Sequence, residues 1–314
     1  MQPILYFVVP CFNEEEVLNE TSQCLTLLLK ELISSHDAAE TSRICYVDDG
    51  SVDETWHIIE HFCSENHYVM GIKLSRNCGH QNALMAGLST IVDKADIIIT
   101  IDADLQDDIH VIPSMISKYE EGCDIVYGVR GDRATDSLFK RTTAQTFYRL
   151  MRWMGVDTVY NHADFRLMSR RTVKRLLEYP EKNLFLRGIV PLIGFRHDVV
   201  KYGRLKRKAG ETKYPLRKML EFAVNGITSF SVKPLRLMIM LGAMMLLFSM
   251  LMFIYVICSL ICHKAVAGWA SIMLSVWLVG GMVVTCLGVV GEYIGKTYIE
   301  VKNRPLFHVE EVIG

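Results

Sequence analysis

The segment Thr100–Asp108, TIDADLQDD, places four acidic residues directly after the apolar run Ala95–Ile99. In an extended segment alternate side chains point the same way, so Asp102, Asp104 and Gln106 can converge. Carboxylate and amide oxygens are hard donors that suit Mg²⁺ or Mn²⁺. The spacing therefore predicts a divalent-cation site formed by these three residues.

The remaining acids of this segment have a second interpretation. Asp107 and Asp108 precede a helix predicted to begin near Ile109, where a carboxylate can cap free N–H groups. After other predicted strands, Asp48 or Ser51 can likewise cap a helix. Glu14 and Glu15 favour the first turn of a helix. Acids gathered at one crevice repel each other unless a cation or hydrogen-bond donors join them. A shared binding site explains the whole set better than separate caps do.

Apolar runs alternate with longer amphipathic segments in the first 130 residues, which predicts alternating strands and helices. The predicted strands are Ile4–Val9, Ser42–Val47, Val69–Lys73, Asp96–Ile101 and Asp124–Gly128. The predicted helices are Glu15–Ser34, Val52–Asn66, His80–Ile91 and Ile109–Glu121. This order predicts an α/β fold with a mostly parallel sheet flanked by helices. Such sheets bind ligands outside the carboxyl ends of their strands.

No glycine-rich phosphate motif accompanies these strands. The sequence contains neither G-x-x-x-x-G-K-[ST] nor a G-x-G-x-x-G after the first strand, which argues against a P-loop enzyme and a Rossmann dehydrogenase. A nucleotide diphosphate would need a metal and nearby cations to neutralise it. Candidate cations follow the fifth predicted strand and are Arg130, Arg133, Lys140 and Arg141.

The C-terminal part has the composition of a membrane protein. The chain has 314 residues, a formal net charge of −1 and a mean hydropathy of +0.21. Leu237–Ile261 and Trp269–Val290 contain no charged residue, and each is long enough as a helix to cross about 30 Å of hydrocarbon. Basic residues flank the pair on both outer sides, which predicts a hairpin with both ends in the cytoplasm. The nine cysteines lack C-x-x-C spacing and are interpreted as reduced thiols.

These features predict four parts. Residues 1–214 form a cytosolic domain, and 215–234 form an amphipathic segment lying at the membrane interface. Residues 235–295 form a transmembrane hairpin with helices at about 236–262 and 269–291, and 296–314 form a cytosolic tail. The predicted location is the inner (plasma) membrane, with two spans and the larger domain in the cytoplasm.

A basic run, Lys201–Tyr214, precedes the first predicted span. One interpretation is a polybasic patch attracted to anionic lipid, at about 1 kcal/mol per charge. The other is a set of cations that hold a specific anionic ligand. Nucleic-acid binding is not favoured, because the whole chain is near neutral and carries no matching motif.

Five motifs in order resemble the family-2 inverting glycosyltransferases of GT-A fold. They are Pro10-x-Phe12-Asn13-Glu14, Asp48-Asp49-Gly50-Ser51-x-Asp53, Gly79-His80-Gln81-Asn82-Ala83, Asp102-Ala103-Asp104-Leu105-Gln106 and Asp164-Phe165-Arg166-Leu167. With the membrane hairpin, the chain is most similar to polyprenyl-phosphate glycosyltransferases, such as bactoprenol glucosyltransferases and dolichyl-phosphate mannose synthase. The resemblance covers nearly the whole chain. It departs mildly at Phe12, where Tyr is usual, and at Asp107-Asp108, where Asp-Pro is common.

The resemblance implies roles for individual residues. The nucleotide sugar would contact Pro10, Phe12, Glu14, Val47, Asp49, Ala103 and Arg130, and the metal would bind Asp102, Asp104 and Gln106. The lipid phosphate would contact Arg141, Arg207 and Lys213. The expected partners are a nucleotide sugar, most simply UDP-glucose, polyprenyl phosphate, the lipid bilayer and other copies of the chain, as in a tetramer. Mg²⁺ or Mn²⁺ would be the cofactor, and other sugars stay open.

The expected acceptor bears on catalysis. A phosphate monoester has a second pKa near 6, so it is mostly dianionic at neutral pH and needs no general base. Asp104 could help to orient the acceptor, and Asp164 is the second candidate catalytic carboxylate, unless it simply pairs with Arg166. Two other functions are weighed. A processive polysaccharide synthase is disfavoured because Q-x-x-R-W is absent, and an inactive membrane-anchored binding protein because Asp102 and Asp104 are both present.

Overall fold

The computed structural model describes residues 2–131, 162–203, 228, 231–261 and 268–314. These residues fall into two compact units. The first unit contains the described residues up to 203 together with residues 304–314. The second contains the described residues from 228 to 303.

The first unit is built on a sheet whose centre is parallel. Its described strands are β1 (Leu5–Cys11), β2 (Arg43–Asp48), β3 (Val69–Leu74), β4 (Ile97–Thr100), β5 (Ile125–Arg130), β6 (His162–Ser169), β7 (His197–Tyr202) and β8 (Val309–Ile313). They lie in the order β7-β5-β6-β4-β1-β2-β3-β8. Strands β4, β1, β2 and β3 are parallel, whereas β6 is antiparallel to β4 and β5, and β8 is antiparallel to β3. The carboxyl ends of β4, β1 and β2 therefore lie side by side.

Helices connect and cover the strands. They are α1 (Leu18–Ser34), α2 (Thr55–Glu65), α3 (His80–Ile91), α4 (Ile112–Glu120), α5 (Arg170–Leu177) and α6 (Leu186–Leu192), with a 3-10 turn over Ile109–Val111. The predicted α/β fold with a mostly parallel sheet flanked by helices is confirmed. Each of these predicted strands and helices is present, α3 with the predicted bounds and the others with shifted ends. Elements β6, β7, β8, α5 and α6 are not predicted by the sequence patterns.

The parallel centre of the sheet is buried on both faces. All residues of β1 are buried, which explains why it is a continuous apolar run. Helix α1 buries Leu25, Leu29 and Leu32 against one face, at the spacing of one helical stripe. On the other face α3 approaches closely, since a Cβ on Gly87 would lie 2.6 Å from Val8 Cγ1. The packed core thus holds β1 and α3 against each other.

Gly50, directly after β2, has φ of +67°. A Cβ there would lie 2.5 Å from the backbone carbon of Arg76 and 2.6 Å from the backbone nitrogen of Asn77. A left-handed conformation costs other residues about 1–2 kcal/mol, and the clash adds to this. We expect Gly50→Ala to lower the free energy of unfolding by at least about 2 kcal/mol, measured by denaturation in detergent.

A matched control separates the clash from the backbone strain. Gly122 also has a positive φ, +93°, but its Cβ would meet only the Nη1 atom of Arg196, at 3.3 Å. The end of an arginine side chain can move, so Gly122→Ala should cost only the conformational strain. Equal losses in the two variants would contradict a contribution from the close approach at Gly50.

The second unit contains two long helices, α7 (Lys233–Ile261) and α8 (Trp269–Lys302). Many of their described apolar side chains are exposed, including Ile239, Met240, Val276 and Val284. Within the described part of the chain, one helical segment, Leu278–Lys302, meets the length and composition of a membrane span.

The residues after the second predicted span are ordered into two elements. The sequence predicts a tail over 296–314, whereas α8 continues to Lys302 and β8 pairs with β3. Gly71 leaves space for this strand, because a Cβ there would lie 3.1 Å from Ile313 Cγ1. The end of the chain is thus an edge strand of the first unit.

Candidate active site

The loops after β1 and β2 are joined to each other. Asn13, which has φ of +55°, donates its N–H to Ser51 Oγ at 3.0 Å, and its Oδ1 accepts from Val52 N at 3.0 Å. Phe12, the first residue after β1, is 43% exposed. The two loops therefore form a braced surface that presents an aromatic ring at the carboxyl edge of the sheet.

Glu14 and Asp48, beside this surface, form hydrogen bonds that hold the two loops. Glu14 N donates to Thr55 Oγ1 at 2.9 Å, and the carbonyl of Glu14 accepts from Leu18 N at 3.0 Å, at the start of α1. Buried Asp48 accepts from Ser51 N at 3.3 Å. Helix α2 begins after this turn without a side-chain cap. The interpretation of Asp48 or Ser51 as a helix cap is therefore wrong, because both residues brace the loop instead.

Asp49 is buried and holds the start of α3. Its two carboxylate oxygens accept from Cys78 N at 2.7 Å and Gly79 N at 2.8 Å. Burial raises the pKa of Asp49, and the two backbone hydrogen bonds oppose this effect. Gly79 has φ of +93°, a conformation that glycine adopts without strain. Asp49 thus positions the helix that carries His80.

Three further residues expected at the nucleotide wall are buried. Pro10 lies in β1, and Val47 lies in β2. Ala103 follows β4, and its carbonyl oxygen accepts from Thr21 Oγ1. In this structure their side chains belong to the core, and their contact with a nucleotide stays a prediction.

The acidic segment after β4 is a turn, so the expectation of an extended strand with alternating ligands is wrong. Strand β4 ends at Thr100, and Leu105 has φ of +43°. Within the turn, Gln106 Nε2 donates to Asp104 Oδ2 at 2.6 Å. Gln106 is buried and directs its amide N–H toward Asp104. This contact holds the Gln106 amide against Asp104, and coordination of a metal by Gln106 stays a prediction.

The two aspartates still suit a divalent cation. Asp102 and Asp104 provide hard carboxylate oxygens from one turn. Among the described residues, no group of three or more His, Cys, Asp or Glu side chains is arranged to hold a metal ion. Mg²⁺ is commonly held by one or two carboxylates together with substrate phosphates and water. Asp102 and Asp104 thus fit a metal that arrives with a diphosphate.

His80 is the first residue of α3 and lies beside Asp102. Its Nε2 is 3.0 Å from Asp102 Oδ1, and the two side chains are 44% and 42% exposed. Desolvation lowers the pKa of His80, but the hydrogen bond and charge of Asp102, with the charge of Asp164, outweigh it and raise the pKa. His80 is therefore the first residue of α3, as the sequence predicts, and it lies beside the acidic turn.

Asp164 lies in β6 between two arginines. Its carboxylate accepts from Arg166 Nη2 at 2.6 Å and from Arg187 Nη2 at 2.9 Å. Burial raises the pKa of Asp164, but the charges of Arg187 and Arg166 outweigh it and hold the pKa well below its usual value. The predicted pairing with Arg166 is present. Arg187, on α6, is a site residue that no sequence motif marks.

Other contacts connect this cluster to its surroundings. Leu186 N, at the start of α6, donates to Gln81 Oε1 at 2.8 Å. Asp108 accepts from His110 N and caps the 3-10 turn, as predicted. The N-cap residue is Asp108, and the buried carboxylate of Asp107 accepts from Tyr202 Oη at 2.6 Å. Asp107 therefore joins the acidic turn to the end of β7.

Several predicted site residues lie outside the described part of the chain. They are Arg133, Lys140, Arg141, Arg207 and Lys213, with most of the predicted interfacial segment. Arg130 is the last residue of β5. Their roles stay predictions.

Comparison with known proteins matches residues 6–177 to the family model "Glycosyl transferase family 2". The chain belongs to glycosyl transferase family 2. Residues 233–297 of this glycosyltransferase match a second model, "GtrB C-terminal hairpin". The first match covers nearly all of β1, strands β2 to β6 and the acidic turn, and the second covers α7 and most of α8. The first match confirms that the chain is a glycosyltransferase of GT-A fold. The second assigns the predicted hairpin region to a family of C-terminal hairpins.

Curated relatives of this glycosyltransferase align over almost its whole length. It is 52% identical over 309 residues to the uncharacterized glycosyltransferase YkoT of Bacillus subtilis, covering 98% of this chain and 92% of that protein. It is 40% identical over 310 residues to a prophage bactoprenol glucosyl transferase homolog of Escherichia coli, covering 97% and 98%. It is 39% identical over 309 residues to the bactoprenol glucosyl transferase of Shigella phage SfII, covering 97% and 96%.

Proposed function

We propose that this glycosyltransferase moves a sugar from a nucleotide sugar, UDP-glucose in the simplest case, to polyprenyl phosphate with inversion. The observation that carries the proposal is the position of Asp102 and Asp104 at the carboxyl edge of the sheet, beside Phe12 and the braced loops. The full-length similarity to bactoprenol glucosyl transferases supports the acceptor. The product would be a lipid-linked sugar for modifying a surface polymer.

The donor site would use both sides of this edge. Phe12 is exposed where a base could stack on it, and aromatic stacking contributes about 1–3 kcal/mol per base. Asp102 and Asp104 would hold Mg²⁺ or Mn²⁺ with the diphosphate. When bound, the cation stabilises the negative charge of the leaving nucleoside diphosphate. Gln106 keeps Asp104 oriented, and Arg130 would add positive charge.

The acceptor site would supply orientation without a base. The acceptor phosphate is mostly dianionic at neutral pH, and Asp164 is held ionised between Arg166 and Arg187. A carboxylate with a lowered pKa is a poor proton acceptor, so we assign Asp164 the role of holding the Arg187 guanidinium in place. Arg141, Arg207 and Lys213 are proposed to hold the lipid phosphate.

The second unit would place the reaction at a membrane. We propose that α7 and α8 both span the bilayer, since each contains a charge-free run long enough to cross it. Lys233, Arg236 and Lys302 flank these runs and favour a cytoplasmic location for both ends. The enzyme would then be a two-span inner-membrane protein with a cytoplasmic catalytic unit, and assembly into a homo-oligomer is part of the proposal.

The function can be tested with purified full-length protein. We expect radiolabel from UDP-glucose, among a panel of nucleotide sugars, to enter the organic extract when undecaprenyl phosphate and Mg²⁺ or Mn²⁺ are present. Undecaprenol, which lacks the phosphate, is the matched control and should accept no label. Chelation of the metal should stop transfer. Label found only in a water-soluble polymer would instead support the synthase alternative.

A further inference from the structure

The contact between His80 and Asp102 joins two elements that are distant in sequence. His80 opens α3 and Asp102 follows β4, 22 residues later, with 3.0 Å between Nε2 and Oδ1. Other histidine–acid pairs among the described residues are local. His57 with Glu60 and His61 with Glu65 lie one turn apart on the exposed surface of α2.

The residues on both sides of His80 are held by hydrogen bonds to other elements. Asp49 accepts from the backbone N–H groups of Cys78 and Gly79, the two residues before His80. Gln81, the residue after it, accepts from Leu186 N on α6. The backbone before His80 and the side chain of the residue after it are therefore tied to other elements. This arrangement fixes the start of α3, from which the His80 ring contacts Asp102.

We propose that His80 is a positioning residue that orients Asp102 for the metal–diphosphate complex. This inference rests on the proposed function. The hydrogen bond between His80 Nε2 and Asp102 Oδ1 orients the carboxylate. The other oxygen, Oδ2, can then face the cation. Loss of a partner that orients a metal ligand typically lowers metal affinity by about 10- to 100-fold. We therefore expect loss of His80 to lower the affinity about tenfold or more.

The test measures Mn²⁺ binding to the full-length protein in the presence of UDP, from the loss of the free-ion electron paramagnetic resonance signal. We expect His80→Ala to raise the half-saturating Mn²⁺ concentration about tenfold or more. His80→Gln keeps an N–H donor near the position of Nε2 and should restore binding to within about threefold of wild type. His57→Ala removes a comparable histidine–acid contact far from the turn in sequence and should bind as wild type does.

The outcomes distinguish this role from a structural one. If His80→Ala bound Mn²⁺ as tightly as wild type, the positioning role would be overturned while the donor site stood. If His80→Gln were as weak as His80→Ala while both unfolded at the wild-type temperature, the hydrogen bond would not be the cause and the role would also be overturned. A wild-type protein without UDP-dependent Mn²⁺ binding would overturn both the proposed donor site and the role of His80.

Discussion

Asp104→Asn is expected to lower kcat/KM for transfer of sugar to undecaprenyl phosphate by about 100- to 1,000-fold, as for loss of one group that stabilises developing charge. The amide keeps the shape of the side chain, and its oxygen can still accept from Gln106 N, now 3.3 Å from Asp104 Oδ1. The negative charge that would bind the cation is lost. Initial rates with radiolabelled UDP-glucose, measured across a range of Mn²⁺ concentrations, check this expectation.

Asp108→Ala is the matched control for this experiment. Asp108 belongs to the same acidic segment but caps the 3-10 turn, so its loss should cost about 1 kcal/mol of stability and leave kcat/KM near wild type. Both variants should reach the membrane fraction as wild type does. Wild-type activity in Asp104→Asn would contradict the assignment of this aspartate to the metal.

Asp164→Asn is expected to lower the free energy of unfolding of the first unit by about 3–5 kcal/mol, the usual cost of breaking a buried ion pair. Arg166 is 1% exposed and its Nη2 lies 2.6 Å from Asp164 Oδ1. An amide leaves that buried guanidinium without its counter-charge, and Arg187 loses the same partner. Thermal or chemical unfolding in detergent measures the loss.

The stabilisation that Asp164 contributes depends on pH. Because the folded-state pKa of Asp164 is lowered, its ion pairs stabilise fully above the ordinary aspartate pKa of about 3.9 and weaken as the pH falls further. The difference between wild type and Asp164→Asn should therefore be complete at neutral pH and shrink below about pH 4. Asp93→Ala, which removes an exposed partner of Lys174, should change stability little. A similar loss in both variants would contradict the special position of Asp164.

The sequence alone was sufficient for the centre of the sheet. Strands β1 to β5 are short apolar runs, and helices α1 to α4 carry one apolar stripe or begin at a recognisable polar boundary, so local periodicity predicts both. Parallel order then places Phe12, Asp49 and Asp102 at one edge, since parallel strands end at the same side. The family motifs added the expected roles of these residues from their order in the chain.

The tertiary structure decided what each polar side chain does at that edge. Asp49 accepts hydrogen bonds from backbone N–H groups at the start of α3. The side-chain amide of Gln106 donates to Asp104. Asp107 pairs with Tyr202, which is 95 residues away. Hydrogen bonds between distant residues depend on how loops meet, and hydrophobic periodicity carries no information about that.

The same limit applies to the partners of Asp164 and to the end of the chain. Arg187 reaches Asp164 from α6, and β8 pairs with β3 across more than 230 residues of sequence. By itself the sequence determined the class of fold, the acidic edge and the two long apolar segments, because composition and local pattern specify these. Which acids are held by backbone N–H groups, a tyrosine or arginines depends instead on contacts that form after the strands and helices assemble.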